Sequence, residues 1–120
     1  MSAKNYYICT AIPYVNDKPH LGHAILHLYA DVLARYNRQL GSNVLCNIGT
    51  DAHGGKIAEV AEKGGVDQKK FADDISEKFR GGLSKLNISY DRFVRTTDVQ
   101  HEKIAAIIWK AIEKDIYKKS

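Results

Sequence analysis

Two short segments hold most of the residues that can do chemistry. The first is His20-Leu21-Gly22-His23, which follows the turn-rich stretch Pro13 to Pro19. The second is Gly49-Thr50-Asp51-Ala52-His53-Gly54-Gly55. Imidazoles at positions i and i+3 lie on one face of a helix, and Gly22 between them lets a phosphate or a flat ring approach the backbone. If a helix begins there, its free N–H groups and its dipole already favour an anion. The combination suits a polyphosphate. Asp51 stands between small residues, where a carboxylate can accept hydrogen bonds from a ligand amine or hydroxyl.

Plainer readings stand beside these. The histidines could be partly exposed helix residues without a ligand, and Asp51 could serve only as a helix N-cap. His27 continues the face of His20 and His23, so the spacing permits a three-histidine metal site, but the His-Glu-x-x-His pattern of such helices is absent.

These segments need elements to position them. Tyr6 to Ile12 is short, β-prone and followed by Pro13, which predicts a buried strand. Leu21, Ala24, Ile25, Leu28, Val32 and Tyr36 recur at helical spacing, predicting a helix from about Pro19 or His20 to Leu40, stopped by Gly41. Asn43 to Ile48 reads as a second strand. Strand, long helix and strand make a βαβ unit with parallel strands and an expected right-handed crossover. In such sheets ligands bind beyond the carboxyl ends of the strands, where both segments fall.

Farther along, Ile57, Val60 and Ala61 predict a short helix closed by Gly64-Gly65, and Phe71, Ile75, Phe79 and Leu83 predict another, weakened or ended at Gly81-Gly82. A brief extended piece is expected near Arg92-Phe93-Val94. The last helix is expected to open on a Thr97/Gln100 capping box, with Ile104, Ile107, Ile108, Ala111 and Ile112 on one face. The fold class is therefore α/β: a Rossmann-like parallel sheet with flanking helices, the 120 residues forming one unit.

Composition narrows the function classes. With 44% apolar and 27% charged residues the chain is neither disordered nor fibrous. Its formal charge of +4 tilts only weakly toward anionic ligands. No apolar run approaches a membrane span, and the start lacks a secretory signal, so a cytoplasmic protein is expected. Cys9 and Cys46 lack Cys-x-x-Cys spacing and sit in apolar runs, so both are expected as buried, reduced thiols and no zinc site is expected.

Three blocks, Ala11-Ile12-Pro13-Tyr14-Val15-Asn16, Pro19-His20-Leu21-Gly22-His23-Ala24 and Gly49-Thr50-Asp51-Ala52-His53-Gly54, together resemble the opening motifs of class I aminoacyl-tRNA synthetases, specifically the methionyl family. Leu86 to Asp91, followed by Thr96-Thr97, resembles the same family's continuation, so the similarity covers essentially the whole chain. The resemblance implies the N-terminal half of a class I synthetase catalytic domain, with methionine activated by ATP and Mg2+ to methionyl-adenylate for transfer to tRNA(Met).

By that resemblance His20 and His23 contact the ATP phosphates, Gly22 packs beneath the adenine, Asp51 holds the methionine ammonium, and Ile12 and Tyr14 line the amino-acid pocket. Family members often carry Glu at the place of Ala52 and Gly at the place of Asp17. The family's second sheet half, its Lys-Met-Ser-Lys-Ser loop, its zinc-bearing insertion and its anticodon-binding domain have no counterpart here. These would come from the remainder of the enzyme, as a C-terminal half or a second chain, and the segment alone is not expected to charge tRNA. The alternative is a free-standing ATP-binding module of synthetase descent.

Overall fold

The computed structural model describes residues 4–117. In chain order the elements are β1 (Asn5–Cys9), α1 (Leu21–Gln39), β2 (Asn43–Thr50), α2 (Gly55–Lys63), α3 (Gln68–Lys85), β3 (Arg92–Arg95) and α4 (Val99–Ile112), with a short 3-10 turn at Glu113–Asp115. The strands form one parallel sheet in the order β1-β2-β3, so β2 is central. The α/β class and the βαβ unit expected from the sequence are present.

Period-two burial along β2 turns Cys46, Ile48 and Thr50 toward the helices. There Cys46 and Ile48 join Ile8 of β1, Ala30 and Ala34 of α1, Leu83 of α3 and Ile88 in one core. A second cluster, Val15, Ala52, Ile57, Ala72, Ile75 and Phe79, packs α2 and α3 beneath the loops that leave β1 and β2.

β1 ends at Cys9, short of the expected Ile12. Residues 10–12 leave the ladder, and the chain rejoins β2 at Pro13–Val15: Asp51 N donates to Pro13 O at 2.8 Å and Val15 N to Asp51 O at 3.1 Å. Cys9 is exposed rather than buried, because it alternates with Ile8 on an edge strand whose outer face is open; Cys46 is buried as expected.

The buried face of α1 is not its most apolar one. Leu21, Ile25, Leu28, Val32 and Tyr36, the apolar residues whose spacing predicts the helix, are exposed, whereas His27, Ala30, Asp31 and Ala34 are buried. Small Ala30 and Ala34 let the helix approach the sheet closely. Asp31 is satisfied on arrival: its Oδ1 accepts from Ser89 N at 2.7 Å and Ser89 Oγ at 2.6 Å, and its Oδ2 from Arg35 Nε at 2.8 Å. Burial pushes the Asp31 carboxyl up, but these bonds outweigh it and hold the group below the usual carboxylate range.

α3 runs unbroken through Gly81-Gly82 to Lys85. Each internal glycine costs about 1 kcal/mol of helix propensity, but Phe79 and Leu83, both buried on either side of them, hold the helix against the core. α4 is capped by Asp98, not Thr97, and forms no side-chain cap bond, since Asp98 Oδ2 accepts from Arg95 N at 2.8 Å instead. The expected Thr97/Gln100 capping box is therefore absent, and none of α4 is buried.

Gly49 marks the tightest approach in the sheet. A Cβ there would lie 1.9 Å from the Val94 carbonyl oxygen, a backbone atom that cannot rotate away. Gly49→Ala should push β3 off β2 and destabilise the chain by at least about 2 kcal/mol. Urea denaturation monitored by circular dichroism checks this; an unchanged midpoint would contradict the packing.

Candidate nucleotide and amino-acid site

His20 is the N-cap of α1 and lies in extended conformation, while His23 is its third helical residue. Gly22 N donates to His20 Nδ1 at 3.1 Å and His20 N donates to His23 Nδ1 at 3.3 Å. This is a reciprocal capping box in which two imidazoles replace the usual hydroxyl and carboxyl groups. Because an amide N–H can only donate, both Nδ1 atoms must present lone pairs. Each neutral ring then carries its proton on Nε2, facing away from the helix end.

The rings stack on each other with centroids 3.8 Å apart and an interplanar angle of 28°. Phe79 of α3 meets the His23 ring edge-on at 5.0 Å. Gly22 has a local reason: a Cβ there would sit 3.0 Å from His20 Cε1 and 3.1 Å from Nδ1, crowding the capping ring.

Beside the pair lies a cavity of about 420 Å³. Ile12, Pro13, Tyr14, Asn16, Asp17, Lys18, His20 and His23 line it, so it gathers four of the expected site residues. Asp51 is outside that lining, yet its backbone bridges to Tyr14 at the cavity wall. The Asp51 carboxylate is half-buried and forms no ion pair among the described residues; its Oδ1 accepts from His53 N at 3.3 Å and from Thr96 Oγ1 at 3.2 Å. A carboxylate held by neutral donors alone is suited to an incoming cation.

Lys18, Thr96 and Phe79 were not singled out as site residues from the sequence. Lys18 stood in what reads as a plain turn. Phe79 reads as helical core, which it also is. Thr96 is brought to Asp51 only by the pairing of β3 with β2, which no local pattern reveals.

The His27 side chain is buried beneath the pair, with Nδ1 3.5 Å from Thr10 Oγ1. Among the described residues no group of three or more His, Cys, Asp or Glu side chains is placed to hold a metal. Nor is any helix there long and apolar enough to cross a membrane.

An α/β sheet with a histidine-capped helix after its first strand and an aspartate after its second is the architecture of a class I tRNA synthetase. The family model described as tRNA synthetases class I (M) matches residues 6–120, and the chain belongs to that family. A methionine–tRNA ligase of Rickettsia felis is 45% identical over 107 residues, covering 89% of this chain and 21% of the relative. That of Deinococcus radiodurans is 46% identical over 101 residues, covering 83% and 15%. The crystal structure of Mycobacterium tuberculosis methionyl-tRNA synthetase bound by methionyl-adenylate superposes with a TM-score of 0.91 at 40% identity. That match covers 92% of this chain and 22% of the other. The chain thus spans between 15% and 22% of the length of these relatives.

Burial lowers the affinity of His23 for a proton, and the charge of His20 lowers it further. His27 is depressed in the same way, first by burial and then by His23. Both groups start from 6.5. A depressed histidine favours the folded state at pH above its unfolded value and loses that contribution as pH falls through its folded value. Stability should therefore decline as pH drops below about 6.5, and His27→Gln should flatten that decline. Thermal melts at about pH 7.5 and about pH 5.5 check it; an identical slope in the variant would refute the assignment.

Proposed function

We propose that this segment is the N-terminal half of the catalytic domain of a methionine–tRNA ligase and supplies contacts to ATP and methionine during formation of methionyl-adenylate. The observation that carries the reading is the capped histidine pair. With Nδ1 of each ring engaged at the helix end, Nε2–H is the remaining donor, and both rings line a cavity whose Tyr14 is bridged to Asp51, a carboxylate without an ion pair among the described residues. Similarity to methionine–tRNA ligases and to a methionyl-adenylate complex supports the choice of substrates.

In the reaction, the methionine carboxylate attacks the α-phosphorus of ATP and pyrophosphate leaves. Negative charge grows on the phosphoryl oxygens at the transition state. His20 and His23, fixed as Nε2–H donors at the positive end of α1, offset that charge without reorganising, each contributing on the order of 3 kcal/mol. Lys18 adds an ammonium on the same cavity wall. Gly22 leaves the helix end open for the adenine to approach.

Asp51 receives the α-ammonium of methionine, and Ile12 and Tyr14 flank its side chain. Aligning the two substrates supplies much of the remaining acceleration, with no covalent enzyme intermediate. ATP enters as its Mg2+ complex. The amino acid passes to tRNA(Met) through the rest of the enzyme, in the cytoplasm.

Incomplete burial supports the assignment of this segment to a larger domain. Leu21, Tyr29, Val32 and Tyr36 of α1 and Ile107, Ile108 and Trp109 of α4 are all more than half exposed. Apolar stripes of that kind mark surfaces that another element covers.

Pyrophosphate exchange in the ligase with its complete catalytic domain tests the reading. His20→Ala with His23→Ala should reduce exchange by about 10²- to 10⁴-fold; unchanged exchange would refute the histidine role. Asp51→Ala should weaken methionine by roughly 2–5 kcal/mol while sparing ATP, and equal loss of both would refute the ammonium assignment. Isothermal titration with ATP in the presence and absence of methionine separates the free-standing module, which would bind ATP with no dependence on methionine.

A further inference from the structure

The Asp51 carboxylate is held from one side, by a residue the reaction scheme does not mention. Thr96 follows β3, and its backbone N donates to Thr50 O at 3.2 Å, continuing the sheet to the level of Asp51. Its hydroxyl accepts from Ala52 N at 2.8 Å and lies 3.2 Å from Asp51 Oδ1. A hydroxyl has one proton. The Ala52 amide can only donate and the carboxylate can only accept, so that proton goes to the carboxylate and the bond has a fixed direction. His53 N donates to the same oxygen at 3.3 Å, and the His53 Nε2 atom lies 3.2 Å from Thr96 O, joining the two loops again.

Both bonds fall on Oδ1; Oδ2 takes no hydrogen bond among the described residues. The β-branched threonine has few χ1 choices, so it holds this geometry at small entropic cost. We propose that Thr96 is a positioning residue for methionine binding: it clamps Oδ1 of Asp51 and the following amide so that Oδ2 alone is presented to the substrate ammonium. The inference rests on the reading of Asp51 as the ammonium partner. It assigns Thr96 a role in amino-acid affinity and none in ATP affinity.

The test compares Thr96→Val, Thr96→Ser, Asp51→Ala and the Asp51→Ala/Thr96→Val pair in the ligase with its complete catalytic domain. Pyrophosphate exchange gives KM for methionine and for ATP, and melting temperatures run in parallel. Thr96→Val, which keeps the shape and removes the hydroxyl, should raise KM for methionine about tenfold with KM for ATP unchanged, and Thr96→Ser should restore it. In the Asp51→Ala background the valine should add nothing, because the two residues act as a unit. Equal effects on both substrates, no effect on methionine, or full additivity in the pair would overturn the inference. If Asp51→Ala itself leaves methionine unaffected, the ammonium assignment fails and this inference falls with it. A null Thr96→Val beside a strong Asp51→Ala overturns the Thr96 role alone.

Discussion

Much of the site depends on how one helix end satisfies its free N–H groups. Every helix leaves its first amides without internal partners, and a side-chain cap is worth about 1 kcal/mol. α1 uses two imidazoles for the task, each accepting at Nδ1. That choice fixes the histidine tautomers, stacks the rings and turns both remaining N–H donors outward. It also accounts for glycine at position 22, where any side chain would crowd the capping ring. Structural and chemical demands thus meet in the same two rings, the cap at Nδ1 and the free donor at Nε2.

The second constraint is the central strand. β2 is paired on both sides, so the residue just past it, Asp51, sits between the returning chain at Pro13–Val15 and Thr96, the residue just past β3. Gly49 permits this by letting the Val94 carbonyl come close. Val15 and Thr50, both fully buried, anchor the two loops from below, with Thr50 Oγ1 3.1 Å from Ser76 Oγ of α3. The histidines and the aspartate are therefore placed by a shared core and not by direct contact with each other.

Much of this was legible in the residues. The βαβ order followed from period and punctuation, and the paired histidines with their intervening glycine stood out because helix starts rarely carry such a group. What could not be read was direction. The pattern Leu21, Ile25, Leu28, Val32, Tyr36 announces an apolar stripe but not which body it faces, and in this segment it faces outward while Ala30, Asp31 and Ala34 meet the sheet. The glycines of α3 looked like a break because propensity is local, whereas the packing of Phe79 and Leu83 is not. Thr97 and Gln100 have capping-box spacing, but α4 begins one residue later, at Val99 with Asp98 as its N-cap. Thr96 was invisible as a partner of Asp51 because only strand pairing joins residues that far apart in sequence.

The histidine tautomers report most directly on the central interaction. Long-range ¹⁵N–¹H correlation spectra of imidazole-labelled protein at neutral pH distinguish a ring protonated on Nδ1 from one protonated on Nε2. Both His20 and His23 should show the Nε2–H form, with Nδ1 as the acceptor nitrogen. An Nδ1–H form at either ring would mean that the reciprocal cap does not exist and that Nε2–H is not the free donor.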